Sequence, residues 1–356
     1  MTLQPDTLSN YTLFHEDCLE TSKRFPDSSI DLIYADPPFF TGRLYSMNGC
    51  SFDDRWANPE EYINWIKPRL EELKRILKPT GSIYIHCDWH ISHYLKVLAD
   101  SIFGRNNFVN EIIWKRQSSH NDAKQGSKHF GRVHDTILVY AGSQTYVWNQ
   151  QYVPYDDVYI ERTYKYVESK TERRYAVGDL TGPGGASKGN PTYEFLGIKR
   201  YWRYSEIKMR ALFASGKIAY VKGKVPLLKR YLDEMNGKPI QDIWSDVSLD
   251  CQKKGRRFPT QKPEALLERI INTSSNPNQI IYEPFAGSST AGVACHKLSR
   301  RWIGSEISEN ACYFTMSRLR QLGCNMQLFS KTSLNSTIPI IANYNDLSQE
   351  IKNVYC

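Results

Sequence analysis

Residues 30–39, IDLIYADPPF, are a short apolar run that ends on an acid followed by two prolines. The run suits a buried strand. Pro37 and Pro38 stop it and forbid a helix directly after it, so Asp36 is expected in a rigid loop at a strand's carboxyl end. In open α/β sheets that is where ligands bind. The prolines fix the backbone and leave carbonyls exposed. Such a loop can aim Asp36 and the Pro37 carbonyl at one amino group while Phe39 offers a face for stacking. An aromatic exocyclic amine held this way is pushed toward tetrahedral character and can attack an electrophilic methyl group. An Asp-Pro turn beside a core phenylalanine also explains the tetrapeptide when it is read alone.

The surroundings alternate strands with helices. Pro59 to Leu77 places Tyr62, Ile63, Ile66, Leu70, Leu73, Ile76 and Leu77 at helical spacing, and Lys78-Pro79-Thr80-Gly81 ends the pattern before a strand at 82–87. A helix over 91–103 and strands over 109–114 and 135–141 complete a first block. A second block reads as helix 263–274, strand 279–283, helix 288–297, strand 302–306 and helix 309–322. Alternation of this kind predicts an α/β fold whose sheet is mostly parallel and covered on both faces.

Within the second block, YEPFAGSSTAGVA (282–294) again follows a strand. Gly287 permits a tight turn and close approach of a ligand, and Ser288 to Thr290 open a helix whose first amides are free. Nineteen residues later Glu306 ends the next strand. A glycine loop followed by an acid at that distance is suited to a nucleoside, the acid accepting from ribose hydroxyls. One glycine is too few for a dinucleotide pyrophosphate loop. A helix-capping or surface carboxylate is the plainer reading of either acid.

Between the blocks the charge changes. From Lys115 to Lys262 there are 27 Lys and Arg against 15 Asp and Glu, whereas the rest of the chain has 19 against 23. The same stretch is rich in tyrosine. Basic residues interleaved with aromatics fit a polyanion that also offers flat bases, and a solvated insertion with ordinary surface charge fits them as well. The formal net charge is +8 and 40% of residues are hydrophobic, which excludes disorder as the dominant state. No run approaches 18 apolar residues and the opening residues lack a signal-peptide layout, so a cytoplasmic protein is expected. The eight cysteines are scattered without a C-x-x-C pair, which argues against a disulfide framework or a zinc finger.

With DPPF at 36–39 and FAGSST at 285–290 in this order, the sequence resembles the S-adenosylmethionine-dependent DNA amino-methyltransferases. The likeness is to the permuted group whose catalytic loop precedes its cofactor loop. HEDCLE (15–20), RLEELKRILKPTGSIYIHCD (69–88), NEIIWKR (110–116), HDTILVYA (134–141) and FPTQKPEALLERII (258–271) look like further family blocks. The resemblance implies a Rossmann-like methyltransferase sheet with circularly permuted motif order. It divides the chain into a catalytic half (1–145), an inserted target-recognition region (146–254), a cofactor half (255–322) and a tail without assigned role (323–356).

Carried over by position, the resemblance implies that Asp36, Pro37, Pro38 and Phe39 grip and stack on a flipped base. Glu283, Phe285, Gly287, Ser288, Ser289 and Thr290 would surround the methionine part of the cofactor, and Glu306 would hold its ribose. Asp17 would approach its adenine, while Thr260, Gln261, Lys262 and Pro263 would lie over it, with Lys262 near its carboxylate. Glu283 stands where the family more often has aspartate, and Ser289 where a second glycine is frequent. Aspartate at the head of the catalytic loop is usual for adenine N6 and serine for cytosine N4. The implied function is therefore transfer of a methyl group to N6 of a flipped adenine in duplex DNA, with S-adenosylmethionine as cofactor and no metal. A base inside a duplex cannot present its amine, so the nucleotide must be extruded.

Cytosine-N4 methylation, an RNA amino-methyltransferase and a non-catalytic DNA-binding subunit are the competing readings. The last would be expected to lose Asp36 or Gly287, and both are present. The family often works as dimers, and a separate restriction or modification polypeptide is another expected partner, because no nuclease or helicase motif is visible. Lys115, Arg116, Arg200, Arg203, Lys222, Lys224, Lys229 and Arg230 are candidate contacts to DNA, each with a solvated surface charge as its plainer reading. Trp114 could touch DNA beside them or pack. GPGGASKGN (182–190) lacks the lysine and Ser/Thr frame of a phosphate loop and reads as a flexible or DNA-touching loop. HCDWHISH (86–93) contains potential metal ligands at a spacing common on helices that bind no metal.

Overall fold

A computed structural model describes residues 2–47, 50–117, 126, 128–247, 249 and 260–330. The chain divides into two compact units, one formed by residues before 152 and after 240, the other by Tyr152–Ile240.

The larger unit is built on a nine-stranded sheet: β1 (Tyr11–His15), β2 (Ile30–Ala35), β3 (Leu77–Cys87), β4 (Phe108–Lys115), β5 (His134–Ala141), β6 (Ile243–Trp244), β7 (Ile280–Glu283), β8 (Arg301–Ser305) and β9 (Met326–Ser330). Their order across the sheet is β6-β4-β5-β3-β2-β7-β8-β1-β9. Every neighbouring pair is parallel except those made by β5, which runs against both β3 and β4. All six residues of β2 and all four of β7 are buried, as strands covered on both faces must be.

The helices are α1 (Cys18–Lys23), α2 (Pro59–Ile76), α3 (Ser92–Ala99), α4 (Glu264–Ser274), α5 (Thr290–Lys297) and α6 (Glu309–Gln321). Local chemistry sets α2: Asn58 caps it by accepting from Glu61 N at 2.9 Å, Glu61 Oε2 accepts from Ala57 N at 2.7 Å, and Pro59 fills the first turn. Tyr62, Ile66, Leu70, Leu73 and Ile76 form its buried stripe, packed with Ile33 and Ile83 of the central strands. Buried Asp31 ties three strands together, pairing with Lys78 at 2.8 Å and accepting from Ile280 N at 2.9 Å.

Several expectations change. The helix predicted over 91–103 is α-helical only over Ser92–Ala99 and continues through a wider turn at Asp100–Gly104. Residues 323–330 are not a featureless tail, because β9 pairs with β1 and forms the sheet's edge; residues 331–356 lie outside the described residues. The second unit is narrower than 146–254. Val147 and Asn149 bond to Thr80 and Thr273 of the larger unit, and β6 pairs with β4.

The second unit has its own small core of Leu180, Phe195, Trp202, Met209 and Ile218. Around it run a four-stranded antiparallel sheet, containing Arg174–Asp179 and Leu227–Tyr231, and a hairpin pairing Thr192–Phe195 with Ile198–Tyr201. GPGGASKGN is a built loop here: the Asn190 amide donates to the carbonyls of Pro183 at 2.9 Å and Gly185 at 3.1 Å. Among the described residues no helix is long and apolar enough to cross a membrane. Cys18, Cys87, Cys295, Cys312 and Cys324 are buried free thiols.

Candidate active site

Because β2 and β7 are parallel neighbours, with Leu32 beside Ile281 and Ile33 beside Tyr282, the loops that follow them open at the same sheet edge. One pocket receives both. Asp36, Pro37, Pro38, Phe39, Glu283, Phe285, Gly287, Ser288 and Thr290 line it, together with Asp17, Thr260, Lys262, Trp65 and Glu306. Gln261, Pro263 and Ser289 are not among its lining residues. Pro263 caps α4, and Ser289 is buried with its hydroxyl 3.3 Å from Glu283 Oε2.

The catalytic loop is braced from three sides. Tyr62 donates to the Pro38 carbonyl at 2.8 Å. Asp54, buried at the end of a hairpin over 43–54, accepts from Phe40 N at 2.8 Å, from Thr41 N at 3.0 Å and from the Thr41 hydroxyl. This grip holds Phe40 at φ 63°, a conformation uncommon for a non-glycine residue. Lys262 donates to Asp36 Oδ2 at 2.5 Å, and its ammonium sits 5.2 Å from the Phe39 ring centre. The ammonium expected near a cofactor carboxylate thus takes the catalytic acid as its partner here.

Behind Asp36 stands His86, fully buried at the end of β3. Its Nδ1 lies 2.8 Å from the Tyr34 hydroxyl and 3.8 Å from Asp36 Oδ1, and its Nε2 is 3.3 Å from Asp135 Oδ2. Burial alone would raise the Asp135 carboxyl, but the hydrogen bond from His86 and the charges of Arg116 and Lys262 hold it below its ordinary value.

On the β7 side Gly287 adopts φ 48° and Ser289 φ 49°, so two residues of the loop are left-handed. Only the first is a glycine. The serine stands where the family often has a second one, and its strain costs about 1–2 kcal/mol. From α6, Thr315 donates to the Gly287 carbonyl and Arg318 to the Ser288 carbonyl, each at 2.9 Å. Glu306 Oε2 accepts from Gly287 N and Oε1 from Ser308 N, both at 2.8 Å, which fixes its carboxylate in the pocket; burial raises it above its ordinary value. Glu283 is pushed up to about 8, chiefly by burial and further by the negative charge of Asp36, although Trp302 Nε1 donates to it at 2.9 Å. Asp17 caps α1 and accepts from Arg69 at 2.6 Å, and Arg69 in turn lies over Trp65.

These residues fit a nucleoside bearing an amino-acid tail. A fixed acid faces the pocket for hydroxyls, left-handed Gly287 leaves the loop open to close approach, and a buried ammonium stands beside the carboxylate that would meet an amine.

The candidate DNA contacts divide. Lys229 is internal to the second unit, pairing with Glu168 at 2.6 Å, and Arg203 donates to the Thr181 carbonyl at 3.0 Å. Arg200, Lys222, Lys224 and Arg230 are exposed. Lys115 is half-buried and Arg116 lies 3.4 Å from Asp135. Trp114 packs, fully buried, with Nε1 donating to the Val247 carbonyl at 2.7 Å. Sequence reasoning passed over Tyr62, Asp54, His86, Asp135, Thr315 and Arg318 as members of the site. The helix stripe containing Tyr62 was legible; its hydroxyl's partner was not.

Residues 30–317 match the DNA methylase family. The type II methyltransferase M.EcaI of Enterobacter cloacae is 30% identical over 326 residues, covering 89% of this chain and 71% of that protein. The DNA adenine methyltransferase YhdJ of Escherichia coli K12 is 28% identical, covering 86% of this chain and 82% of that one. Among solved structures, the DNA modification methylase TTHA0409 of Thermus thermophilus in complex with S-adenosyl-L-methionine aligns with a TM-score of 0.49 at 15% identity, covering 90% of this chain and 97% of that one.

Proposed function

The chain belongs to the DNA methylase family, and from that membership we propose that it is a site-specific DNA methyltransferase acting on N6 of adenine, with S-adenosylmethionine as methyl donor. The observation that supports this best is the meeting of the two motif loops in one pocket, with Asp36 at one wall and Glu306 at the other. Aspartate at the head of the loop, and a named adenine methyltransferase among the relatives, favour adenine over cytosine.

When bound, S-adenosylmethionine supplies a methyl group activated by a positively charged sulfur. Glu306 would hold its ribose hydroxyls and Asp17 would lie toward its adenine. The loop from Glu283 to Thr290 would enclose its methionine part, with Phe285 and Trp65 as apolar walls. Asp36 and the Pro37 carbonyl would orient the target amine, and Phe39 would recover about 1–3 kcal/mol of the unstacking cost by stacking on the flipped base. Rate enhancement then rests on positioning and electrostatics, with no covalent protein intermediate.

The second unit carries 17 Lys and Arg against 10 Asp and Glu. We assign it target recognition, with Arg200, Lys222, Lys224 and Arg230 as phosphate contacts. A homodimer, a separate restriction partner and a cytoplasmic location with the DNA complete the reading.

The test is incubation with labelled S-adenosylmethionine and unmethylated duplex DNA, beside Asp36→Ala, followed by mass spectrometry of the nucleosides. N6-methyladenine formed only by the unmutated protein is the expected result. N4-methylcytosine would overturn the base assignment, and product on RNA alone would overturn the substrate.

A further inference from the structure

Methylating an amine creates a proton to remove. The nitrogen lone pair forms the bond to carbon while the carbon–sulfur bond breaks with its electrons on sulfur. The nitrogen is then left with one proton more than the neutral product keeps. Asp36 is the obvious first acceptor, but Lys262 holds its Oδ2. Its Oδ1 is buried without a hydrogen-bond partner and points toward His86, 3.8 Å from Nδ1. A carboxylate oxygen left unpaired in that setting is costly unless it has a task.

The imidazole behind it is arranged to receive. Asp135, held ionised, accepts at Nε2, so Nε2 carries the hydrogen and in the neutral ring Nδ1 is an acceptor. Nδ1 accepts from the Tyr34 hydroxyl at 2.8 Å. That hydroxyl can turn from donor to acceptor if Nδ1 gains a proton. The Phe39 and Trp114 rings, each 5.5 Å away centre to centre, close the ring's remaining sides.

Resting on the reading above, we propose that His86 is a positioning residue that takes the surplus proton from Asp36, with Asp135 as its fixed counter-charge. The N–H bond of the methylated amine breaks and an O–H bond forms on Asp36 Oδ1. That proton then passes to His86 Nδ1, leaving an imidazolium paired with Asp135 and the Asp36 carboxylate restored beside Lys262. The charged groups around the ring are thus Asp36, on the loop after β2, and Asp135 from β5. Arg116 of the segment after β4 and Lys262 act on Asp135, and Glu283 from β7 acts on Asp36.

The test is the single-turnover methylation rate against pH for the full chain preloaded with S-adenosylmethionine, beside cofactor affinity by calorimetry and 15N NMR of the histidines without cofactor. The unmutated enzyme should lose rate on the acid side as His86 becomes protonated. H86Q should lower the rate about 10²-fold, hold cofactor affinity within about threefold, which on the basis of 1.4 kcal/mol per tenfold is a small change, and lack the acid limb. D135N should move that limb to lower pH, because removing the carboxylate makes the imidazolium give up its proton more readily. Y34F should keep the limb whatever its rate, since it removes only a donor to Nδ1. NMR should place the resting hydrogen of His86 on Nε2. An H86Q enzyme that keeps the limb, a Y34F enzyme that loses it as H86Q does, or a hydrogen on Nδ1 would overturn the relay. An unmutated protein that methylates nothing would bring down the functional reading itself.

Discussion

Lys262 Nζ and Asp36 Oδ2 meet at 2.5 Å across 226 residues of sequence. Both side chains are largely buried, at 10% and 17% exposure. Removing one partner of such a pair strands the other. K262M should destabilise the protein by about 3–5 kcal/mol, and the K262M/D36N double variant should recover most of that loss. Urea unfolding of the four proteins measures the coupling, and strictly additive losses would show that the pair is not a unit.

The loop's own bracing is testable through Asp54. D54A leaves the amides of Phe40 and Thr41 without their acceptor and frees Phe40 from its left-handed backbone. Asp54 is itself a pocket-lining residue, so the cofactor must be watched separately. The single-turnover rate should fall about 10²-fold through misplacement of Asp36, while equilibrium dialysis of S-adenosylmethionine changes far less. A large loss of affinity with little loss of rate would assign Asp54 to the cofactor instead.

Glu283 makes stability depend on pH with a definite sign. Its carboxyl is raised in the fold from 4.5 to about 8. The folded state therefore binds a proton that the unfolded chain has lost, and stability contributed by this group falls as pH rises between these values. Buried Glu306 acts in the same direction. E283Q should flatten the decline in thermal midpoint between about pH 5 and 8, measured by calorimetry. An unchanged slope would mean that Glu283 is ionised throughout.

The small unit can be unseated by one side chain. Trp202 is fully buried in its core and donates to the Tyr193 carbonyl at 2.9 Å. W202A should cost about 3–5 kcal/mol, enough to unfold a core of this size. DNA binding should be lost in a gel-shift assay while calorimetry still detects S-adenosylmethionine. Retained DNA affinity would move target recognition out of Tyr152–Ile240.

The cofactor acid gives the simplest assay. E306A removes the acceptor shared by Gly287 N and Ser308 N as well as the proposed partner of the ribose. Calorimetry should show affinity for S-adenosylmethionine about 10²-fold weaker, about 2.7 kcal/mol. An affinity within threefold of the unmutated protein would place the ribose elsewhere.

What could be read in advance was local. IDLIYA and the stripe of α2 announced themselves by periodicity, and the loops after β2 and β7 by prolines and a glycine at strand ends. What could not be read was who meets whom across hundreds of residues. Asp135 looked like the first residue of an unremarkable strand, and only β5 running between β3 and β4 brings it to His86. β9 escaped notice because its five residues are all half-buried, as an edge strand's are, so no alternation of apolar and polar side chains marks them. The basic stretch overstated its surface: Lys229 and Arg173 count toward the charge but are neutralised inside their own unit.

The order β2-β7-β8-β1-β9 has a consequence for biosynthesis. β1 leaves the ribosome first among the strands, yet its two sheet neighbours are β8 and β9, made almost three hundred residues later. Until then β1 has no partner and β2 has one free edge, so half of the sheet must wait for the last strands to emerge. At roughly 5–20 residues per second that is an interval of about 15 to 60 seconds. During that time the nascent chain displays unpaired apolar strands, a natural occasion for chaperone engagement.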